Sequence, residues 1–442
     1  MGDRICRKIA WRLLPLLVAC YFLSFLDRVN IGFARLTMNA DLGISDAAYG
    51  LGAGIFFIGY LLFEVPSNML LKRFGARVWI ARIMISWGIL SACMSLVSGP
   101  VSLYVMRFLL GFAEAGFFPG IVYFLSVWFP AAWRARIMGG FLVALPLSTT
   151  LGSPVSGLIL GMDHLGLAGW QWLFILEGLP TVALGLVVLA LLPNRPDEAR
   201  WLGDDEKRWL NARLAEEDAQ AAVTAHGSIR QALTVPKLWA MSFIYMGIVV
   251  GLYGFTFWIP QITRDLGDFS TFETGLVAAV PNLLAAGVLL FWGRRSDVSG
   301  ERVRNLALPA LAGGVLFALS GQLADRPVLF YGLFCAGFLA TFAAFPVFWT
   351  LPMAVLRGSA AAAGIALINS ISNLGGFLGP YILGAVKEAT GGYGGGVLAV
   401  GAFVLMSGVL TLLLARFSPQ TRDALDQAAL NQAALDRPAP AH

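Results

Sequence analysis

Apolar residues in this chain come in runs of about twenty, too long and too uniformly apolar for the one-sided stripe of a soluble helix. The first six runs lie at about Ile9–Val29, Tyr49–Leu71, Val78–Val97, Val101–Phe129, Ile137–Leu160 and Gly169–Leu192. After a polar stretch the pattern resumes at about 237–261, 272–293, 305–322, 327–351, 359–386 and 395–416. A run of this length crosses the hydrocarbon layer as a helix, because a helix satisfies its own backbone polar groups without water. The pattern predicts an all-α polytopic membrane protein: twelve transmembrane helices arranged as two six-helix bundles, residues 1–192 and 237–416. Between them, residues 193–236 are rich in charge, and Asp204-Asp-Glu-Lys-Arg-Trp-Leu-Asn-Ala-Arg-Leu214 reads as an amphipathic helix within a linker. Residues 417–442 form a polar, Ala-rich tail.

Composition agrees with that picture. Of 442 residues, 58% are hydrophobic and 13% charged, against about 25% charged in a soluble protein. A net charge of +5 raises the question of nucleic acid, and the placement of the charges answers it. Basic residues cluster in alternate loops: Arg4, Arg7, Lys8 and Arg12, then Lys72, Arg73 and Arg77, then Arg134 and Arg136, and later Arg294, Arg295, Arg302 and Arg304. The opposite loops hold isolated cases, Arg35, Arg264 and Arg326. This is the positive-inside bias, and it places both termini in the cytoplasm. Cys6, Cys20, Cys93 and Cys335 are scattered without metal or redox spacing and read as packing residues. The first apolar run ends in Asp-Arg, with no small-residue cleavage site, so no removable signal peptide is expected.

The charges inside the runs carry the chemistry. Arg107 and Glu114 stand seven residues apart, nearly on one helix face and ~10.5 Å apart along the axis. Facing lipid, each would cost at least ~2.5 kcal/mol, so both are expected to face a polar interior. The first six spans also hold Asp27, Arg28, Glu64 and Glu177, whereas the last six offer uncharged groups: Tyr253, Trp258, Gln261, Asn282, Trp349, Asn369, Ser370, Ser372 and Asn373. A site between such halves has one ionic and one neutral hydrogen-bonding wall, which suits a small anion bearing hydroxyl or aromatic groups.

Each residue also has a structural alternative. Arg107 and Glu114 as an intramembrane pair fit poorly, since direct contact along one helix needs a spacing of three or four. Asp27 and Arg28 could snorkel to the outer interface; adjacent helical positions diverge by ~100°, so they are expected to serve different partners. Glu64 precedes Pro66 near the inner end and suits a structural or gating role; Glu177 suits helix packing. Asn369 and Asn373, one turn apart, could bind substrate or bond a neighbouring helix. An internal repeat supports two halves: Asn68, Lys72, Gly75 and Arg77 are matched in spacing by Gly293, Asp297, Gly300 and Arg302, each set following the second span of its half.

Four motifs, Leu-Asp27-Arg28-Val-Asn-Ile-Gly-Phe-Ala, Phe-Phe-Ile-Gly-Tyr60-Leu-Leu-Phe-Glu-Val-Pro-Ser-Asn68, Arg107-Phe-Leu-Leu-Gly-Phe-Ala-Glu114-Ala-Gly-Phe-Phe-Pro-Gly and Trp-Leu-Phe-Ile-Leu-Glu177-Gly, together resemble the anion:cation symporter family of the major facilitator superfamily. The likeness covers essentially residues 8–416, and within the family the chain resembles bacterial tartrate/phthalate-type and sugar-acid permeases. It implies proton-driven import of organic anions across the bacterial inner membrane. By position, Asp27 and Glu114 match carboxylates implicated in proton coupling. Arg28 matches an arginine associated with the substrate carboxylate, Arg107 the arginine of the fourth helix, Tyr60 a substrate-side tyrosine and Asn373 an asparagine of the eleventh helix. The loop repeat then becomes a candidate gating set: Arg73, Gly75 and Arg77, with Gly293, Asp297, Gly300 and Arg302. Asn68 and Lys72 depart from the Gly and Asp that the superfamily's loop motif has there. Gly152-Ser-Pro154-Val-Ser-Gly157 only partly resembles the Gly-Pro motif of drug/proton antiporters.

The expectation is therefore an alternating-access importer of a small organic anion (a dicarboxylate, hydroxy acid or sugar acid), coupled to protons. Its substrate contacts are expected at Arg28, Tyr60, Arg107, Tyr253, Trp349, Asn369 and Asn373. Anion exchange or efflux is the alternative mode. An enzyme is the weakest reading, since His164, His226 and His442 all lie outside the spans. The expected partners are substrate, protons and lipid, with no nucleic acid, no cofactor and no metal, in a protein that works as a monomer.

Overall fold

The computed structural model describes residues 2–223, 235–355 and 359–417, so the tail expected at 417–442 and His226 lie outside the described residues, except for Phe417. The predicted all-α architecture is what forms. Helices α1 (Gly2–Val29), α2 (Ile31–Leu42), α3 (Asp46–Phe74), α4 (Ala76–Cys93), α5 (Pro100–Glu114), α6 (Phe117–Trp128), α7 (Ala131–Leu142), α8 (Ala144–Ile159) and α9 (Gly169–Leu191) precede the linker helix α10 (Asp204–Val223). Then come α11 (Pro236–Arg264), α12 (Thr271–Ser299), α13 (Arg302–Gln322), α14 (Pro327–Phe348), the short α15 (Thr350–Val355), α16 (Ser359–Thr390) and α17 (Gly394–Phe417). Among the described residues, eleven segments are long and apolar enough to cross a membrane. The one expected span outside these eleven, the eleventh in chain order, coincides with α16, 32 residues long.

Several boundaries differ from the sequence expectation. The first span continues past Val29 into α2, so Arg35, expected in a loop, is a buried helical residue. The fourth span is not one helix. It breaks at Ala115–Gly116, with Gly116 at φ 87°. A Cβ there would lie 2.3 Å from Ser67 Oγ, so both backbone sign and space require glycine. The tenth span ends likewise at Trp349, between α14 and α15.

The chain divides into two compact units, residues 1–44, 55–223 and 269–279 in one, and residues 45–54, 224–268 and 280–442 in the other. In the first, α3 and α5 approach through glycine: a Cβ on Gly111 would meet Phe56 O at 2.0 Å, and one on Gly59 would meet Phe108 O at 2.3 Å. Small residues permit such backbone contact where lipid offers no hydrophobic drive to association. That contact sets Phe56 and Tyr60 of α3 beside the charged stretch of α5. The second unit uses the same device between α11 and α16, where Cβ atoms on Gly375 and Gly379 would meet Met246 O and Val250 O at 2.5 and 2.6 Å.

The linker helix docks on the first unit. Lys8 pairs with Glu206 at 2.6 Å, Arg134 with Glu217 at 3.2 Å, and the Trp201 ring stacks on Trp128 at 5.9 Å. Glu217 also accepts the Ala131 backbone N–H at 2.9 Å, capping the first turn of α7. The hydrogen bond from Lys8, with one from the Gly203 N–H, holds the Glu206 carboxyl below the usual glutamate range.

Candidate functional site

Ser24 and Arg28 are four residues apart on α1 and therefore share a face. Both turn to Glu114: Ser24 Oγ donates to Oε1 at 2.8 Å, and Arg28 Nη2 makes a short charge-assisted contact with the same oxygen. Glu114 is the last residue of α5, at the break, and is 1% exposed. Its other oxygen, Oε2, is buried with no donor among the described residues. The seven-residue spacing thus does what helix geometry requires. Glu114 pairs across to α1, and Arg107 lies two turns earlier along α5.

Arg107 is fully buried. Its guanidinium sits 5.0 Å from the centre of the Phe56 ring, and the Arg28 guanidinium lies 5.3 Å from that same ring. Tyr60 completes the cluster, 5.5 Å from Arg28. Two guanidinium groups sharing one aromatic ring is a cation–π arrangement that lets positive charge persist away from water. A planar fork of donors of this kind matches a carboxylate. The structure thus brings Arg28, Tyr60, Arg107 and Glu114 together.

Asp27 does not join them. It points the other way from α1 and accepts three neutral donors: Trp87 Nε1 at 2.9 Å, Ser91 Oγ at 2.9 Å and Thr181 Oγ1 at 2.8 Å. Trp87 and Ser91 are one turn apart on α4, and Thr181 is on α9, so Asp27 ties three helices together. The adjacent Arg28 leaves α1 on a different face, so the two neighbours have different partners, as adjacent helical positions are expected to. Glu177, one turn before Thr181, accepts Ser156 Oγ at 2.7 Å and packs α9 on α8, the structural alternative weighed for it.

In the second unit the polar groups are framed by aromatics. Trp349 Nε1 donates to Tyr245 OH at 3.3 Å, and the Tyr245 ring stacks on Phe348 at 4.6 Å. Tyr253 stacks on Phe257 at 5.8 Å. Asn369 and Asn373 are half-buried one turn apart on α16. Trp258 is wholly buried and donates to Pro380 O at 3.2 Å, so it packs helices. Sequence reasoning missed Ser24, Phe56 and Tyr245. The position of Ser24, one turn before Arg28, was a usable signal; Phe56 and Tyr245 lie in apolar runs where nothing sets one aromatic apart.

The repeated loops adopt matching backbones. Gly75 and Gly300 both have positive φ, 85° and 69°. Arg302 reaches Asp297 at 2.6 Å and Ser296 Oγ at 3.0 Å. Arg77, which lacks that carboxylate, donates from Nε to Leu189 O at 2.5 Å, while its N–H bonds Asn194 Oδ1. Arg73 is exposed, and Gly293 has open space around it. No group of three or more metal-ligating side chains occurs among the described residues.

Apolar helices long enough to cross a membrane, with Arg107 and the carboxylates of Asp27, Glu114 and Glu177 buried among them, are those of a multi-pass membrane protein. The chain belongs to the Major Facilitator Superfamily, whose sequence model matches residues 17–380. It is 47% identical over 425 residues to an Agrobacterium vitis protein named for tartrate transport, covering 94% of this chain and 92% of that one. It is 41% identical to a quinolone resistance transporter of Acinetobacter baumannii, covering 93% and 95%. Among solved structures, the partially occluded inward-open xylose transporter XylE of E. coli superposes with a TM-score of 0.69 at 14% identity, covering 92% of this chain and 97% of that one.

Proposed function

We propose that this transporter imports a small organic anion together with protons across the bacterial inner membrane, working as a monomer with both termini in the cytoplasm. The observation that carries the reading is the Arg28–Glu114 contact, with Arg107 sharing the Phe56 ring. An arriving carboxylate competes with Glu114 for the Arg28 donors. Glu114 then loses its cation, and its unpartnered Oε2 is where a proton can attach. Substrate and proton bind as a pair, and the occupied state is the one that changes access; this is coupling through differential binding to states. Arg107 and Tyr60 supply further donors to the anion. Tyr253, Trp349, Asn369 and Asn373 serve its hydroxyl or aromatic groups. Asp27 acts as the second proton-linked carboxylate, through the three helices that it ties together, and the two glycine loops with their arginines act in gating.

The relative named for tartrate transport favours a hydroxylated dicarboxylate. A second reading, efflux, rests on the relative named for quinolone resistance. The test is uptake by proteoliposomes across a panel of tartrate, phthalate, sugar acids and a quinolone, with and without an imposed proton gradient. Accumulation of one of the anions that depends on an inward gradient supports import. Gradient-independent exchange, or quinolone extrusion alone, removes it.

A further inference from the structure

Arg82 is a charge that the transport site does not use. It lies six residues into α4, or ~9 Å along the axis, in a stripe with Val78 and Ile89, which are 46% and 49% exposed. Positions 78, 82 and 89, at i, i+4 and i+11, lie on one helix face. In a membrane-spanning helix an exposed apolar face meets lipid. Arg82 is therefore a cation on the lipid-facing side of the bundle. Among the described residues no carboxylate lies within ion-pair distance of it, and its Nε is buried without an acceptor.

What surrounds it is an aromatic platform. The guanidinium stacks 4.1 Å above the Trp79 ring, and that ring stacks on Phe74 at 5.6 Å and 11°. Trp79 Nε1 donates to Ser67 Oγ at 3.0 Å, which fixes the ring and commits its only donor. The Arg82 donors left over are unsupplied with an anion. Helical side chains lean toward the N-terminus of their helix, so Arg82 reaches back toward the Gly75 turn, where Arg73 and Arg77 add positive charge.

We propose that Arg82, on its Trp79–Phe74 platform, binds the headgroup phosphate of an anionic phospholipid, with the acyl chains running inward along Ile89. The guanidinium fork suits two phosphate oxygens, and a tryptophan at headgroup depth marks the interface. The choice of an anionic lipid rests on the cytoplasmic orientation proposed for the Gly75 turn, since that leaflet carries the negative charge.

The experiment is native mass spectrometry of the full-length protein, released from detergent with equal amounts of phosphatidylglycerol and phosphatidylcholine of identical chains. The wild type is expected to retain phosphatidylglycerol preferentially. Arg82→Gln should lose that retention by about fivefold, the scale for one basic residue against anionic lipid. Arg82→Lys should keep part of it. Arg326→Gln, in the loop before α14, should change nothing. Equal retention of the two lipids by the wild type, undiminished retention by Arg82→Gln, or an equal loss in Arg326→Gln overturns the site. Side-specific labelling of a cysteine placed at Arg73 reports orientation separately, so a failed orientation is distinguishable from a failed lipid site.

Discussion

The two units solve the same problem, polar groups inside a bilayer, by opposite means. The first buries whole charges and gives them partners on other helices: Arg28 with Glu114, Asp27 with three neutral donors, Glu177 with Ser156. The second buries almost none. Among its described residues the one buried charge is Arg302, at a loop beside Asp297. Its interior is organised by stacked rings around Tyr245 and Trp349. Ionic contacts are strong, directional and dependent on protonation, whereas aromatic packing is insensitive to both proton and anion. Under the proposed function, this difference gives coupling to the first unit and selection among substrates to the second.

Breaking the ionic unit should have the largest effect. Arg28→Met strands the buried Glu114 carboxylate and should destabilise the protein by about 3–5 kcal/mol while abolishing uptake. Thermal unfolding of the purified protein checks the first, proteoliposome uptake the second. Adding Glu114→Leu should restore stability and leave transport dead. If the double variant transports, the pair is structural.

Arg107→Lys keeps the charge and loses the fork. Uptake should fall roughly tenfold, the cost of about 1.4 kcal/mol in substrate binding; near-normal uptake would reduce Arg107 to a source of field. Asp27→Asn places an amide N–H₂ among donors and should cost about 1–3 kcal/mol in thermal stability. An unchanged melting temperature would argue that Asp27 is protonated and already donates one of those bonds.

In the second unit effects should be smaller and substrate-dependent. Tyr245→Phe removes the acceptor for Trp349 and should shift KM by a fewfold with kcat kept, as the loss of about 0.5–1.5 kcal/mol implies. A loss of proton dependence in this variant would contradict the division of labour. The smallest effect should come from the linker. Glu206 sits below the ordinary glutamate range in the folded chain, so its contact with Lys8 stabilises above the unfolded value and is lost as pH falls through the folded one. Hydrogen exchange across α10 should quicken slightly on acidification, and Lys8→Met should erase that response.

Much of this was legible in the sequence because the bilayer leaves few options. Runs of about twenty apolar residues can only be helices, and charges deep within them are costly against lipid, so Arg28, Arg107 and Glu114 stood out. The glycine loops were legible too, since Gly75 and Gly300 occupy backbone that other residues adopt at a cost. What could not be read was which face each charge would take. Asp27 and Arg28 are neighbours in sequence, yet one serves α4 and α9 and the other α5. That outcome depends on the rotation of α1, which packing against three helices sets. The break at Gly116 was equally hidden: Ser67 of α3 lies against it, a contact that no local pattern announces. Tyr245 was missed because aromatic residues are ordinary filling in apolar helices.

Under the proposed function, Glu114 exchanges its arginine for a proton when an anion arrives. Glu114→Gln mimics the protonated state permanently. The direct measurement is paired accumulation and counterflow of one transported anion in the same liposomes, wild type against Glu114→Gln. The variant should lose gradient-driven accumulation and keep counterflow exchange. Full gradient-driven accumulation by Glu114→Gln would contradict it and take this carboxylate out of the proton path.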